Sequence, residues 1–363
     1  MDSIAITLTT INLPTVLEDF VALQREYPHP EAQVDFIIAG DRKTPAETES
    51  FLQSLRGKTK SEIIYLDLAR QEKEFSKYGG IWNHIPIDSF ARRNYADLFA
   101  YLKGYSMVIR IDDDNLPTKD DFIGGHSIAG GKDPIVLKTI ESSTGWYNIC
   151  EALEEEHGVA FYPRGYPYER RWEASEVTIA EAEGRVVINA GLWLGDPDVD
   201  AITRLCRPVN ATRYKEEKYS THFALAKGTW SPINTQNTAF AWETIPAAFV
   251  SPHAERYDDI FSGYFLRTIV DHLGDAVAFG RPLLNQVRNY HNLWKDLQKE
   301  TIGGQTTKAV TDELRKLTFS SKDYLGCYGE LIAAMKEAIP VEREHFNRIL
   351  TGMELWQQLF ESI

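Results

Sequence analysis

Over the first 115 residues, short apolar runs alternate with segments whose apolar positions return at helical spacing. Strands are read at residues 4–9, 34–39, 62–66 and 105–111. Helices are read at 14–25, with Pro14 in the first turn, at 45–55 and at 88–102. In the last of these Phe90, Tyr95, Leu98, Phe99 and Leu102 form the apolar stripe, and Asp88 is placed to cap the N-terminus. Strand–helix alternation with short connections predicts an α/β fold, a mostly parallel Rossmann-like sheet with helices on both faces. From about 122 to 280 the pattern is irregular and rich in Gly, Pro and aromatics, with a buried strand at 187–196, a helix at 260–273 and a strand at 276–279. Long irregular stretches on a sheet are where sites are usually built. Helices return at 310–317, 328–338 and 341–360. There Phe346, Ile349, Leu350, Met353, Trp356 and Phe360 form a stripe suited to a core or to a contact between copies in a homo-oligomer. Gly303-Gly304 reads as a linker, so the chain divides into a catalytic domain, 1–300, and a C-terminal helical appendage, 301–363.

Composition narrows the classes. A net charge of −14 excludes a general nucleic-acid binder, which would present a basic face. An acidic protein that handles phosphates must gather its Lys and Arg locally or use a metal. Three cysteines, Cys150, Cys206 and Cys327, lack metal-ligand spacing and favour a reducing compartment. The chain enters a strand at once, and no apolar run approaches the roughly 20 residues of a membrane span. A cytoplasmic protein with no membrane span is expected.

The main chemical signal is Asp112-Asp113-Asp114, which follows the fourth strand directly. Adjacent anions at a strand end call for a cation, and oxygen-only ligands suit Mg²⁺ or Mn²⁺ shared with a substrate's phosphates. Ligands of α/β sheets bind at the carboxyl ends of strands. A solvated acidic turn is the plainer alternative. Asp41, after the second strand, is placed either to accept from a nucleobase or ribose or to hold a turn. Arg92, Arg93 and Asn94 lie where a guanidinium can fork onto a diphosphate or brace the triplet.

Two prolines stiffen residues 162–171, where aromatics flank Arg164 and Arg171 to make an anion clamp or an interface loop. Asn189, Gly191 and Trp193 suggest a pocket floor, although core packing also explains the Trp. Asp258 and Asp259 open the 260–273 helix, as a cap or as a base that stays ionised. Arg288, Asn289, His291 and Asn292 form a polar cluster able to reach phosphates, with His291 a further candidate metal ligand.

These motifs resemble the plant reversibly glycosylated polypeptides, which act as UDP-arabinopyranose mutases and share the GT-A glycosyltransferase fold. The resemblance rests on Asp112 to Asp114, Arg164-Gly165-Tyr166-Pro167 with Arg171, Gly191 to Leu194 with Pro197-Asp198, and Arg256-Tyr257-Asp258-Asp259. Asp271 to Gly274, Gly280 with Pro282, and Cys327-Tyr328 extend it. It implies a metal-dependent enzyme binding a UDP-sugar with Mn²⁺ or Mg²⁺ through the triplet. It also implies reversible attachment of sugar to an arginine, matched by Arg164, with Arg171 matching a second arginine needed for activity. A guanidinium stays protonated at neutral pH, so stabilising a leaving diphosphate is the more conservative role for Arg164. The plant pattern is not followed at Asn189-Ala190 or over residues 286–293, where Arg288 and Asn292 stand. The expected activity is a pyranose–furanose mutase with arginine self-glycosylation. A transferase to a separate acceptor and a self-glycosylating scaffold are the alternatives.

Overall fold

The computed structural model describes residues 2–339 and 341–363. Its first part runs β1 (Asp2–Thr10), α1 (Leu17–Glu26), β2 (Ala32–Gly40), α2 (Thr48–Arg56), β3 (Ile63–Leu66), α3 (Leu68–Phe75), α4 (Gly79–His84), α5 (Arg93–Leu102) and β4 (Met107–Ile111). The middle holds β5 (Asn115–Pro117), α6 (Phe122–His126), β6 (Ile135–Ser142), β7 (Leu153–Glu155), β8 (Val177–Gly184), β9 (Val186–Gly195), α7 (Ala201–Cys206), β10 (Ala211–Tyr214), α8 (Glu216–Tyr219), β11 (His222–Leu225) and β12 (Asn237–Ala241). Then come α9 (Asp258–Leu273), β13 (Ala276–Gln286), α10 (Leu293–Leu314), α11 (Tyr324–Ala338) and α12 (Arg343–Glu361).

One sheet runs through the molecule in the order β3-β2-β1-β4-β12-β9-β13-β11-β6-β8. The first four strands are parallel, as are β9 with β13 and β6 with β11. The strand β12 runs antiparallel to both β4 and β9, which joins the regular first half to a mixed second half. Alternation along β1 sends Ile4, Ile6 and Leu8 into one core with α1 and α2, while Ala5 faces a second core with α5. Both faces are therefore covered, which is the α/β arrangement expected.

Register brings the site's elements together. Thr10 of β1 is level with Gly40 of β2, and β4 lies on the other flank of β1. The carboxyl ends of these strands thus open on one edge. Beneath it, Thr7 donates to Asp97 at 2.9 Å, and Asp97 pairs with Arg110 at 3.0 Å, with both charged side chains fully buried.

Several expectations are corrected here. Asp88 does not cap a helix. It has φ of 61°, and Ser89 accepts from the Ala91 N–H instead. The helices α3 and α4 lie where none was read, α3 being capped by Asp67. Gly303 and Gly304 are no linker but interior residues of α10, and Gly303 is seated against the ring of Tyr257. Residue 300 lies within that helix, and the elements after it join the same core as α5 and α9. The stripe from Phe346 to Phe360 is buried inside the chain, with Trp356 against Phe249 and Phe346 against Phe261. It offers no surface to a second copy.

Candidate functional site

A cavity of about 730 Å³ lies at the carboxyl ends of β1, β2 and β4 and is walled on its far side by the start of α9 and the segment after β13. The acidic triplet lines one wall. Val108 and Arg110 of β4 face α5, so Asp112 emerges on that side and meets Arg93, with Nη2 to Oδ1 at 2.6 Å. Arg93 is buried, lies over the ring of Phe90 at 4.0 Å and donates to Thr235. One oxygen of Asp113 accepts from Thr10 Oγ1 at 2.6 Å and from Asn12 Nδ2 at 3.0 Å. Asp114 receives Asn115 Nδ2 at 3.2 Å and the Asn289 backbone N–H at 3.5 Å. Burial raises the Asp112 carboxyl against the pull of Arg93. Burial and then the Asp112 charge push Asp114 up to about 7, against the pull of Arg288.

The opposite wall is built on Arg164. Its Nε and Nη2 fork onto Asp198 at 3.0 and 2.9 Å, and Nη1 and Nη2 onto Asp259 at 3.1 and 3.2 Å. The second Nη1 hydrogen goes to the Arg256 carbonyl. A guanidinium has five N–H donors, and all are taken. Burial alone would weaken its hold on the proton, but Asp198 and Asp259 outweigh it and keep Arg164 protonated more firmly than a free guanidinium. Asp198 is correspondingly held well below the usual carboxylate range, Arg164 and Arg288 outweighing burial.

Two groups remain uncommitted. Arg288 is 9% exposed, with its nearest carboxylates, Asp196 and Asp198, at 3.6 and 3.8 Å. Its Nε and Nη2 have no hydrogen-bond partner. Burial, then the charge of Arg204, lowers its pKa, so an anion in the cavity would relieve it. Asp258 accepts the Asp259 N–H at 2.9 Å with Oδ1, while its Oδ2 receives no donor among the described residues. Burial and then Asp259 push this carboxyl to about 7, with Arg164 opposing.

The remaining expectations divide. Asp41 lines the cavity, but its oxygens accept the N–H groups of Arg42, Asp88 and Ser89 at 2.7, 2.9 and 3.1 Å, which is the turn role. Arg92 is not at the site. Its Nε bonds Gln71 at 2.8 Å, and its guanidinium lies against the rings of both Trp82 and Tyr95. Asn94 bonds the backbone of Val250 and is structural. Arg171 is also off the cavity, tied to Asp200 at 2.7 Å and lying over Tyr168 at 4.2 Å. Asn189, Gly191 and Trp193 form no pocket floor. Asn189 bonds Gly125 and His126 in the core, Gly191 abuts Asn237, and Trp193 is buried. Asn292 caps α10. His291 does line the cavity, but its Nδ1 faces Asp296 at 3.0 Å. Among the described residues no three His, Cys, Asp or Glu side chains converge as a metal-ligand set, so Asp112, Asp113, Asp114 and His291 do not make one together.

Sequence reasoning passed over Thr10 and Asn12, although their place at the end of the strand beside β4 is a usable signal. It weighed Asp198 only as a matched position. In Gly195-Asp196-Pro197-Asp198 turn chemistry masks any other role. Altogether nine carboxylates line the cavity against five lysines and arginines.

Residues 84–363 match the family described as reversibly glycosylated polypeptide. UDP-arabinopyranose mutase 1 of Arabidopsis thaliana is 28% identical over 269 residues, 70% of this chain and 69% of that one. Probable UDP-arabinopyranose mutase 1 of Pisum sativum is 29% identical over 267 residues, 70% and 68% of the two chains. Among solved structures, S. aureus TarS 1-349 gives a TM-score of 0.36 at 10% identity, covering 100% of this chain and 91% of that one.

Proposed function

The chain belongs to the reversibly glycosylated polypeptide family, and from that premise we propose that its cavity binds a UDP-sugar and interconverts the pyranose and furanose forms. The names of the mutase relatives support the reaction. The observation that carries the binding is Arg288, a guanidinium on the cavity wall with no hydrogen-bond partner: its buried Nε and Nη2 face Asp196 and Asp198 at 3.6 and 3.8 Å, which leaves Nη1 for an anion in the cavity shared with the acidic triplet. A diphosphate oxygen satisfies such a donor, and charge-assisted hydrogen bonds of this kind are the strong ones. A GT-A type fold is part of the same reading.

Mg²⁺ or Mn²⁺ fits the triplet in a limited way. Asp112 and Asp113 would each offer it an oxygen that takes no donor among the described residues, with Asp114 beside them, whereas Nδ1 of His291 faces Asp296. The raised Asp114 carboxyl is what a cation would reverse. When bound, the ion would neutralise diphosphate charge as the anomeric bond breaks. The chain's own residues hold the diphosphate at Arg288 and keep the far wall rigid through Arg164. A cytoplasmic setting suits the free cysteines, and no helix among the described residues is long and apolar enough to cross a membrane.

One observation favours a second reading. The free oxygen of Asp258 would serve an acceptor hydroxyl as well as a hydroxyl of the bound sugar, so transfer to a separate acceptor is the alternative. Incubation with UDP-arabinopyranose and Mn²⁺, without acceptor, separates the two. A UDP-arabinofuranose peak with the nucleotide conserved is expected. Unchanged substrate, or release of UDP alone, overturns the mutase.

A further inference from the structure

The strand β12 runs antiparallel to β4, with Asn237 level with Ile111, Thr238 with Arg110 and Phe240 with Val108. Phe240 shares the α5 core with Val108, and the Arg110 guanidinium lies over its ring at 4.5 Å. Alternation sends Gln236 to that same face, at the next position in register, opposite Asp112. Side chains so placed on neighbouring strands are within reach of one another. Gln236 lines the cavity and is 8% exposed.

The backbone around Gln236 is fixed from both walls. Thr235 accepts Arg93 at its hydroxyl, and its N–H reaches Asp259 at 3.3 Å. Asn234 donates to Asp198 at 3.1 Å and accepts the Gln236 N–H at 3.5 Å. The Gln236 amide itself is uncommitted. Its Oε1 is fully buried without a partner, and Nε2, bonded to nothing among the described residues, is the end left to the cavity. A buried polar atom without a partner destabilises the empty protein. An apolar side chain of the same length would fill the place without that penalty, so what the amide adds is a donor. Nine carboxylates line the cavity. They can accept the protons of a sugar's hydroxyls, but they give the hydroxyl oxygens nothing to accept.

Resting on the UDP-sugar reading of the cavity, we propose that Gln236 is a specificity-determining residue that binds the sugar itself. Nε2 donates to one hydroxyl oxygen, and that hydroxyl gives its own proton to a neighbouring carboxylate. A sugar joined to a diphosphate beside Asp112 lies within reach of the residue across the strand pair. The ligand class is a sugar nucleotide whose sugar carries a free hydroxyl at that point. Removing the oxygen leaves Nε2 unpaired, which is how a site built to bond a hydroxyl rejects the analogue lacking it.

The test is displacement of a fluorescent UDP derivative, with Mn²⁺ present, by UDP and by UDP-arabinopyranose, from wild type and from Gln236→Met. If neither nucleotide displaces the probe from wild type, the UDP-sugar reading falls, and this proposal with it. Where both do, the variant should hold UDP within about two-fold of wild type and UDP-arabinopyranose about 3–10-fold more weakly, the range of one hydrogen bond. It should also melt at or above the wild-type temperature, because the buried unpartnered oxygen is gone. Unchanged affinity for the sugar nucleotide overturns the proposal and leaves the UDP-sugar reading intact. An equal loss of both nucleotides, or a lower melting temperature, shows a structural role and overturns it as well. Monodeoxy UDP-sugars, one for each sugar hydroxyl, give a second measurement on wild type. One of them should bind wild type about 3–10-fold more weakly than the parent, and the variant no more weakly than the parent does. If every analogue loses as much from the variant as from wild type, Gln236 touches no sugar hydroxyl and the proposal is refuted.

Discussion

Asp114 is a carboxyl at odds with its place. Burial and then the Asp112 charge raise it to about 7 from an ordinary 3.8. A group whose folded pKa is raised contributes stability that is complete below the unfolded value and lost as pH rises through the folded one. The unliganded protein should therefore weaken between about pH 4 and 7 as Asp114 ionises. Asp114→Asn cannot ionise, so its melting temperature should match wild type at or below about pH 4 and exceed it near pH 8 by roughly a few degrees. Parallel curves for the two proteins would show that Asp114 is not the strained group. The same scale explains why two adjacent arginines have separate fates. Arg92 ends a short 3-10 turn and Arg93 begins α5, so the two side chains leave the backbone in different directions, Arg93 to the triplet and Arg92 to Gln71, Trp82 and Tyr95. Sequence places both near the site but does not say which reaches it.

Among elements, α10 is the most instructive. Gly303 lets it lie on Tyr257, whose neighbouring residues build the Arg164 wall. Gly303→Ala should gain about 1 kcal/mol of helix propensity and lose more by overpacking that ring, for a net cost of about 1–2 kcal/mol. Urea unfolding measures it, and an unchanged or higher midpoint would mean that the helix is not seated as described. Two glycines in a row read as a break because the ring that accommodates them is distant in sequence. The first four strands were legible for the opposite reason, since alternation is local and both faces of β1 are buried. The middle strands were harder. The outward strand β8 is exposed along nearly its whole length, and β11 spans only His222–Leu225, too short for a pattern. At the site, the triplet, Arg164, Asp258 and Arg288 were legible as chemistry on loops and strand ends. Asn94, Asn189 and Arg171 carry the same side-chain types, and only the packing of the core shows that they are structural.

At the scale of the whole molecule, a single sheet holds two cores apart and leaves one edge open. The chain carries −14 overall, and that edge is acidic too, nine carboxylates outnumbering five lysines and arginines there. This reverses the usual relation between an enzyme and a charged substrate. Fields that match a ligand draw it in and make association faster at low salt. Here the nucleotide diphosphate proposed as ligand would meet a field of its own sign. Added salt shortens the screening length from about 10 Å at 0.1 M to about 3 Å at 1 M, so metal-free UDP should associate faster as ionic strength rises. Stopped-flow measurement decides it, and a rate that fell with salt would put Lys43, Lys299 and Arg288 in control of the approach. Arriving already paired with a divalent ion, the nucleotide would cross the same entrance with little hindrance, so the order in which the two ligands meet would set the pace of capture.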